Sequence, residues 1–227
     1  MALNRRTFLR TGSAALIGTL AAPRPLRAAT GPRVFDLYRG DKRIGQQTLD
    51  VGRSGSQINV AVDINIEVRI LGLSAYSYQL YSREVWADGA LQRLEGKAND
   101  NGTPHRVSVL RTGGGLQIDG SGFRGTVQGN PATTTYWSQA FLSRPTWIST
   151  QDGKPMNINT ARAGSVEVPT PAGPTRATVW NVRGDIGRLD LFYDANGEWV
   201  GNRFEARGEQ ARFVLARTGK PLAPIWS

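Results

Sequence analysis

The stretch Gln57-Ile58-Asn59-Val60-Ala61-Val62-Asp63-Ile64-Asn65-Ile66-Glu67-Val68-Arg69-Ile70 alternates without a break. Every even position is Ile or Val, and every odd position except Ala61 is polar. A period of two sends the even side chains to one face of an extended chain and the odd ones to the other. At a rise of about 3.3 Å per residue the run is about 45 Å long, against roughly 17–20 Å for an ordinary strand. Strands twist, so a ribbon of this length coils rather than lying flat. The expectation is a curved sheet with a concave apolar side.

The neighbouring sequence repeats the pattern. From Ala75 to Ala87, Tyr76, Tyr78, Leu80 and Trp86 share one parity. Shorter alternating runs follow over 34–39, 44–53, 91–98, 106–111, 116–119, 123–128, 165–169, 176–183, 188–193, 199–206 and 211–217. Asp88-Gly89, Asn101-Gly102 and Asn196-Gly197 stand between them. Such pairs tolerate positive φ and mark hairpin turns. One segment departs from the period. Trp137, Ala140 and Phe141 lie at helical spacing between Pro131 and Pro145, which predicts a short helix near 134–143. The fold expected is all-β: a long, strongly curved antiparallel meander, half-barrel-like, with that one helix.

The N-terminus reads as an address. Asn4-Arg5-Arg6-Thr7-Phe8-Leu9-Arg10 places an arginine pair one residue ahead of Phe-Leu, and an uncharged run follows from Thr11 to Ala22. That is the form of a twin-arginine export signal. The apolar part is shorter than the roughly 20 residues that span a bilayer, and small residues at Ala28 and Ala29 offer a cleavage point. The expected organisation is a signal peptide over 1–28 and a single β-rich domain over 29–227. Its partner would be the twin-arginine translocase, which exports folded proteins, and its destination the periplasm.

Charge and cysteine content narrow the function classes. Of 28 basic residues five are arginines within 1–28, where there is no acid, which leaves 23 bases against 18 acids. The remaining bases are dispersed, whereas phosphate binding needs a concentrated basic face; no nucleic-acid partner is expected. The absence of cysteine removes thiol catalysis and Cys-based metal sites. His105 is the lone histidine, and no G-x-S-x-G elbow accompanies it. Asp194-Ala195-Asn196-Gly197 lacks the further acids of a calcium loop, and Gly113-Gly114-Gly115 lacks the lysine of a phosphate loop. No catalytic residue, metal ligand or cofactor is therefore assigned, and the reading leans away from an enzyme.

Aromatic residues are the remaining signal. A concave sheet covered by one short helix leaves an apolar groove, and aromatics on its border suit a lipid or another amphiphile. Tyr76, Tyr78 and Trp137 are the candidate ligand contacts. The expected function is a periplasmic, non-enzymatic binding or carrier protein for an apolar or amphipathic ligand. Two alternatives stand beside it: an envelope-associated hydrolase with an unidentified polar site, and a structural protein that offers a strand edge to a partner.

Three segments carry a family resemblance. They are the hairpin Gly40-Asp41-Lys42-Arg43-Ile44-Gly45, the pair Tyr136-Trp137, and the closing hairpin from Gly187 to Val200 with Phe204. In these the chain resembles the twin-arginine-exported bacterial family catalogued as domain of unknown function 6134, over essentially the whole mature length. The resemblance implies no activity and transfers no catalytic residue. The layout is also similar to the half-barrel lipoprotein carriers of the periplasm, at the level of the fold alone.

Overall fold

Cross-strand register organises the whole molecule. The computed structural model describes residues 31–70, 73–206, 208–222 and 225; the export signal expected at Arg5 and Arg6, and positions 71–72, lie outside the described residues. Strands β1 (Arg33–Arg39), β2 (Lys42–Ser54), β3 (Gln57–Ile70), β4 (Leu73–Ala87), β5 (Ala90–Asp100), β6 (Thr103–Thr112), β7 (Gly115–Gly120) and β8 (Arg124–Val127) follow one another as antiparallel neighbours. Two short strands come next, β9 (Ala132–Thr133) and β10 (Thr146–Ile148). A second meander then runs through β11 (Pro155–Val168), β12 (Thr175–Gly184), β13 (Gly187–Tyr193), β14 (Trp199–Ala206) and β15 (Glu209–Arg217). Strand β15 pairs with β1, so the two meanders join into one sheet of fifteen strands whose outer members are β8 and β9.

That order forces the sheet to wrap. A flat sheet of this size would hold its outer strands about 65 Å apart, at about 4.8 Å per strand spacing. Yet β8 and β9 are joined by residues 128–131, which reach at most about 18 Å when fully extended. The two edges must therefore curl toward each other. Their ladder does not close directly. The loop between β10 and β11 packs against the other edge instead: Gly122 donates its N–H to the Asp152 carbonyl at 2.9 Å. Two inward glycines make room for that passage. A Cβ at Gly96 would lie 2.3 Å from the Thr150 carbonyl oxygen, and one at Gly120 would lie 2.1 Å from that of Asp152.

Strand β3 spans the full predicted run, paired along its length with β2 and β4. Its even residues from Ile58 to Val68 face inward, but burial changes along it. Ile58, Val60 and Val62 are buried, whereas Ile64, Ile66 and Val68 are only half-buried. The same gradient runs along β4, from buried Trp86, Glu84, Ser82 and Leu80 to half-buried Tyr78 and Tyr76. One end of the wrapped sheet is packed solid and the other is not. Two hairpin turns take the form their sequences predict: Asp88 and Gly89 have φ of 51° and 68°, and Asn101 and Gly102 have 51° and 93°.

The helix expected near 134–143 is shorter and tighter, a five-residue 3-10 helix at Gln139–Ser143. Ser138 caps it, its hydroxyl accepting from the Ala140 N–H at 3.1 Å. Ahead of it stand three threonines, 133 to 135, whose branched side chains disfavour a longer helix; the first of them, Thr133, ends β9. The strand expected at 165–169 begins ten residues earlier, at Pro155, because Met156 and Ile158 continue the inward alternation.

Candidate functional site

The packed end of the barrel is filled by the crossing segment. Trp137, Phe141 and Trp147 are fully buried, and Trp86 of β4 stacks on Phe141 with ring centroids 4.9 Å apart and on Trp137 edge-on at 6.0 Å. A carboxyl group sits among them. Glu84 of β4 is buried and accepts from Trp86 Nε1 at 2.7 Å and from Thr135 Oγ1 at 3.1 Å. Burial, the largest influence, lifts its pKa above the usual carboxylate range, against the opposing pull of the neighbouring Trp86, Thr133, Thr135 and Trp137 donors. This cluster fastens the crossing segment to the sheet.

The unfilled end contains a cavity of roughly 290 Å³. Register explains which side chains reach it. Gln47 of β2 lies opposite Ile64 of β3, and Ile64 opposite Leu80 of β4. Across the barrel Phe204 pairs with Ala211, and Asn202 pairs with both Leu191 and Phe213. Tyr78, Leu80, Ile64, Leu189, Phe204 and Phe213 supply apolar wall, with Met156 and Ile186 beside them. The crossing segment supplies Thr134, Tyr136, Ser149, Thr150 and Gln151. Four of the polar side chains in this wall are committed to each other. Tyr78 donates its hydroxyl to Gln151 Oε1 at 2.9 Å, and the Thr134 and Thr150 hydroxyls are 3.0 Å apart. Burial holds the Tyr78 and Tyr136 phenols well above the ordinary tyrosine pKa, so both stay neutral.

Tyr136 is the strained member. Its φ is +56°, a region that costs a bulky residue of order 1–3 kcal/mol. The Tyr193 hydroxyl donates to its carbonyl at 2.8 Å. Its ring lies 5.8 Å from Trp147 and 5.7 Å from Trp199, so the cavity wall is in direct contact with two tryptophans of the core.

Of the three contacts expected from sequence, Tyr78 lines this cavity. Tyr76 is half-buried further along the same face, opposite Val68. Trp137 is fully buried in the packed end and is not part of the cavity wall. Helical spacing marked Trp137 as inward-facing but carried no information on which end it would fill. Asn202, Gln47 and Gln151 were not singled out. A polar residue at an inward parity position, such as Asn202 between buried Leu191 and Phe213, is the one signal that points to them.

Other polar features have structural employment. His105 Nδ1 is 3.4 Å from Ser121 Oγ, which already accepts from the Arg106 N–H and donates to the Arg106 carbonyl. No carboxylate among the described residues hydrogen-bonds His105. The wider groove around it, about 630 Å³, is lined by exposed Asp63, Lys97 and Arg106. Asp194 Oδ1 accepts the Asn196 and Glu198 N–H groups at 2.9 Å each, which is a turn cap. Asp190 joins Arg183 at 3.0 Å and Arg203 at 2.9 Å across neighbouring strands. Among the described residues no three His, Asp or Glu gather as a metal site would require.

Fold and cavity together define a beta-barrel-like protein made from one wrapped antiparallel sheet, plugged at one end by its own chain and hollow at the other. The chain belongs to the family described as Domain of unknown function (DUF6134), whose model matches residues 35–216. Among solved structures it is similar to a beta-barrel-like protein of domain of unknown function DUF1849 from Brucella abortus. The TM-score is 0.60 at 11% identity, covering 85% of this chain and 98% of that one. No curated protein matches the chain in sequence.

Proposed function

We propose that this protein is exported in folded form to the periplasm and there binds or carries an apolar or amphipathic ligand without chemically altering it. The observation that carries the reading is the cavity: a largely apolar hollow at one end of an otherwise solid barrel, lined by Tyr78, Phe204 and Phe213. Burying apolar ligand surface there is favourable by about 25 cal/mol per Å². The half-buried Ile66, Val68 and Tyr76 continue the same apolar face beyond it.

Intrinsic fluorescence tests the binding. Tyr136 touches Trp147 and Trp199, so filling the cavity changes the surroundings of two indoles. Titration with medium-chain amphiphiles is expected to give a saturable change in tryptophan emission, and Tyr78→Asp to weaken it at least tenfold. An unresponsive spectrum across neutral and charged amphiphiles would remove the carrier reading. Export rests on Arg5 and Arg6. Replacing both with lysine is expected to leave the protein in the cytoplasm, as seen by cell fractionation; unchanged periplasmic recovery would contradict the twin-arginine assignment.

A further inference from the structure

The cavity wall contains no lysine, arginine, histidine, aspartate or glutamate. Among its residues Asn202 has a fully buried donor without a partner. Asn202 is 1% exposed. Its Oδ1 accepts the Phe213 N–H at 3.2 Å, and that contact decides which end of the amide is oxygen, because a backbone N–H requires an acceptor. The Nδ2 group is then the other end, buried and without a hydrogen-bond partner. A buried donor left unmade costs about 1–3 kcal/mol, and native interiors rarely retain one. Asn202 stands on an inward position, in register with Leu191 and Phe213.

Resting on the carrier reading above, the geometry points to a neutral ligand that enters head first: an amphiphile whose uncharged oxygen, of the ester, amide or alcohol kind, accepts from Asn202 Nδ2 while its hydrocarbon lies along Ile64, Leu80 and Phe204. Charge is what the site rejects. A carboxylate or phosphate drawn into this wall would lose its water and find no cation, a cost far above that of a neutral carbonyl. The neutral carbonyl instead satisfies a donor that the empty protein leaves unpaired.

The test uses the full-length mature protein and three probes of equal chain length, methyl decanoate, decanoate at pH 8 and decane, read by tryptophan fluorescence. Methyl decanoate is expected to bind at least about tenfold more tightly than decanoate, the factor that corresponds to one unmet buried hydrogen bond. In Asn202→Leu the affinity for methyl decanoate relative to decane is expected to fall by about tenfold, with decane binding itself retained. The wild-type comparison needs no variant, so it stands even if Asn202→Leu folds poorly. Decanoate binding as tightly as its ester would overturn the head-first neutral site and leave the carrier reading intact, since a charged head could then remain in water. Failure of all three probes to bind would overturn both.

Discussion

Glu198→Ala will lower the free energy of unfolding by about 3–5 kcal/mol, the range measured when one member of a buried ion pair is removed. Glu198 is bonded to Arg33, which is 2% exposed. It also accepts the Leu222 N–H at 2.6 Å through Oε1, while Arg33 Nη1 donates to the Trp199 carbonyl at 2.8 Å. These contacts tie the first strand to the β13–β14 connection and to the chain that follows the last strand. Burial lowers the pKa of Arg33, against the opposing pull of Glu198. Losing Glu198 therefore strands a cation in a place that already disfavours it. The double variant Arg33→Met/Glu198→Leu is expected to cost far less than the two single truncations combined, because it abolishes both desolvation penalties. Urea denaturation at constant m-value measures this. A Glu198→Ala protein within about 1 kcal/mol of wild type, or strict additivity in the cycle, would show that the pair does not clamp these segments together.

The second large effect is at Glu84. Glu84→Leu removes the acceptor for Trp86 Nε1 and Thr135 Oγ1, both within the buried cluster. Each orphaned donor costs about 1–3 kcal/mol, so a loss of about 3–5 kcal/mol is expected, together with loosening of the crossing segment. The pH dependence has a definite sign. The folded pKa of Glu84 is raised, chiefly by burial, so the folded state holds its proton at a pH where the unfolded state, near the ordinary value of about 4.3, has released it. The stabilising contribution is complete below that ordinary value. It is lost as pH climbs through the folded pKa. Glu84→Gln cannot titrate, and its stability is expected to change less steeply than wild type as pH rises above about 4.3. Unfolding curves collected between pH 4 and 8 on both proteins give the comparison. Parallel curves, or a wild type that gains on the variant as pH rises, would contradict a raised pKa at this carboxyl.

The strands were legible because their signal is local. Alternation from Ile58 to Val68 follows from the geometry of an extended backbone, and Asp88-Gly89 and Asn101-Gly102 turn because both residues of each pair accept positive φ. The crossing segment was legible only in part. Pro131, Pro145 and the spacing of Trp137 and Phe141 announced a helical turn, yet β9 and β10 are two and three residues long, too short to carry a period. The parallel pairing of β9 with β10 joins residues that no local pattern relates. For the cavity, parity correctly turned Tyr76 and Tyr78 inward but could not rank positions along a strand. Tyr78 reaches the hollow while Trp86, of the same parity, lies buried in the packed end.

By itself the sequence determined an antiparallel sheet with an inner and an outer face, the location of several of its hairpins, and a strand too long to stay straight. These depend on contacts between residues close in the chain or directly opposite across a tight turn. Only the tertiary structure decided that β1 would pair with β15, that the segment from 131 to 154 would fill one end of the barrel and not the other, and that Asn202 would line a hollow with its Nδ2 buried and unpaired. Those outcomes depend on which distant segments occupy the same volume, and volume is shared across the fold rather than written into any local stretch of residues.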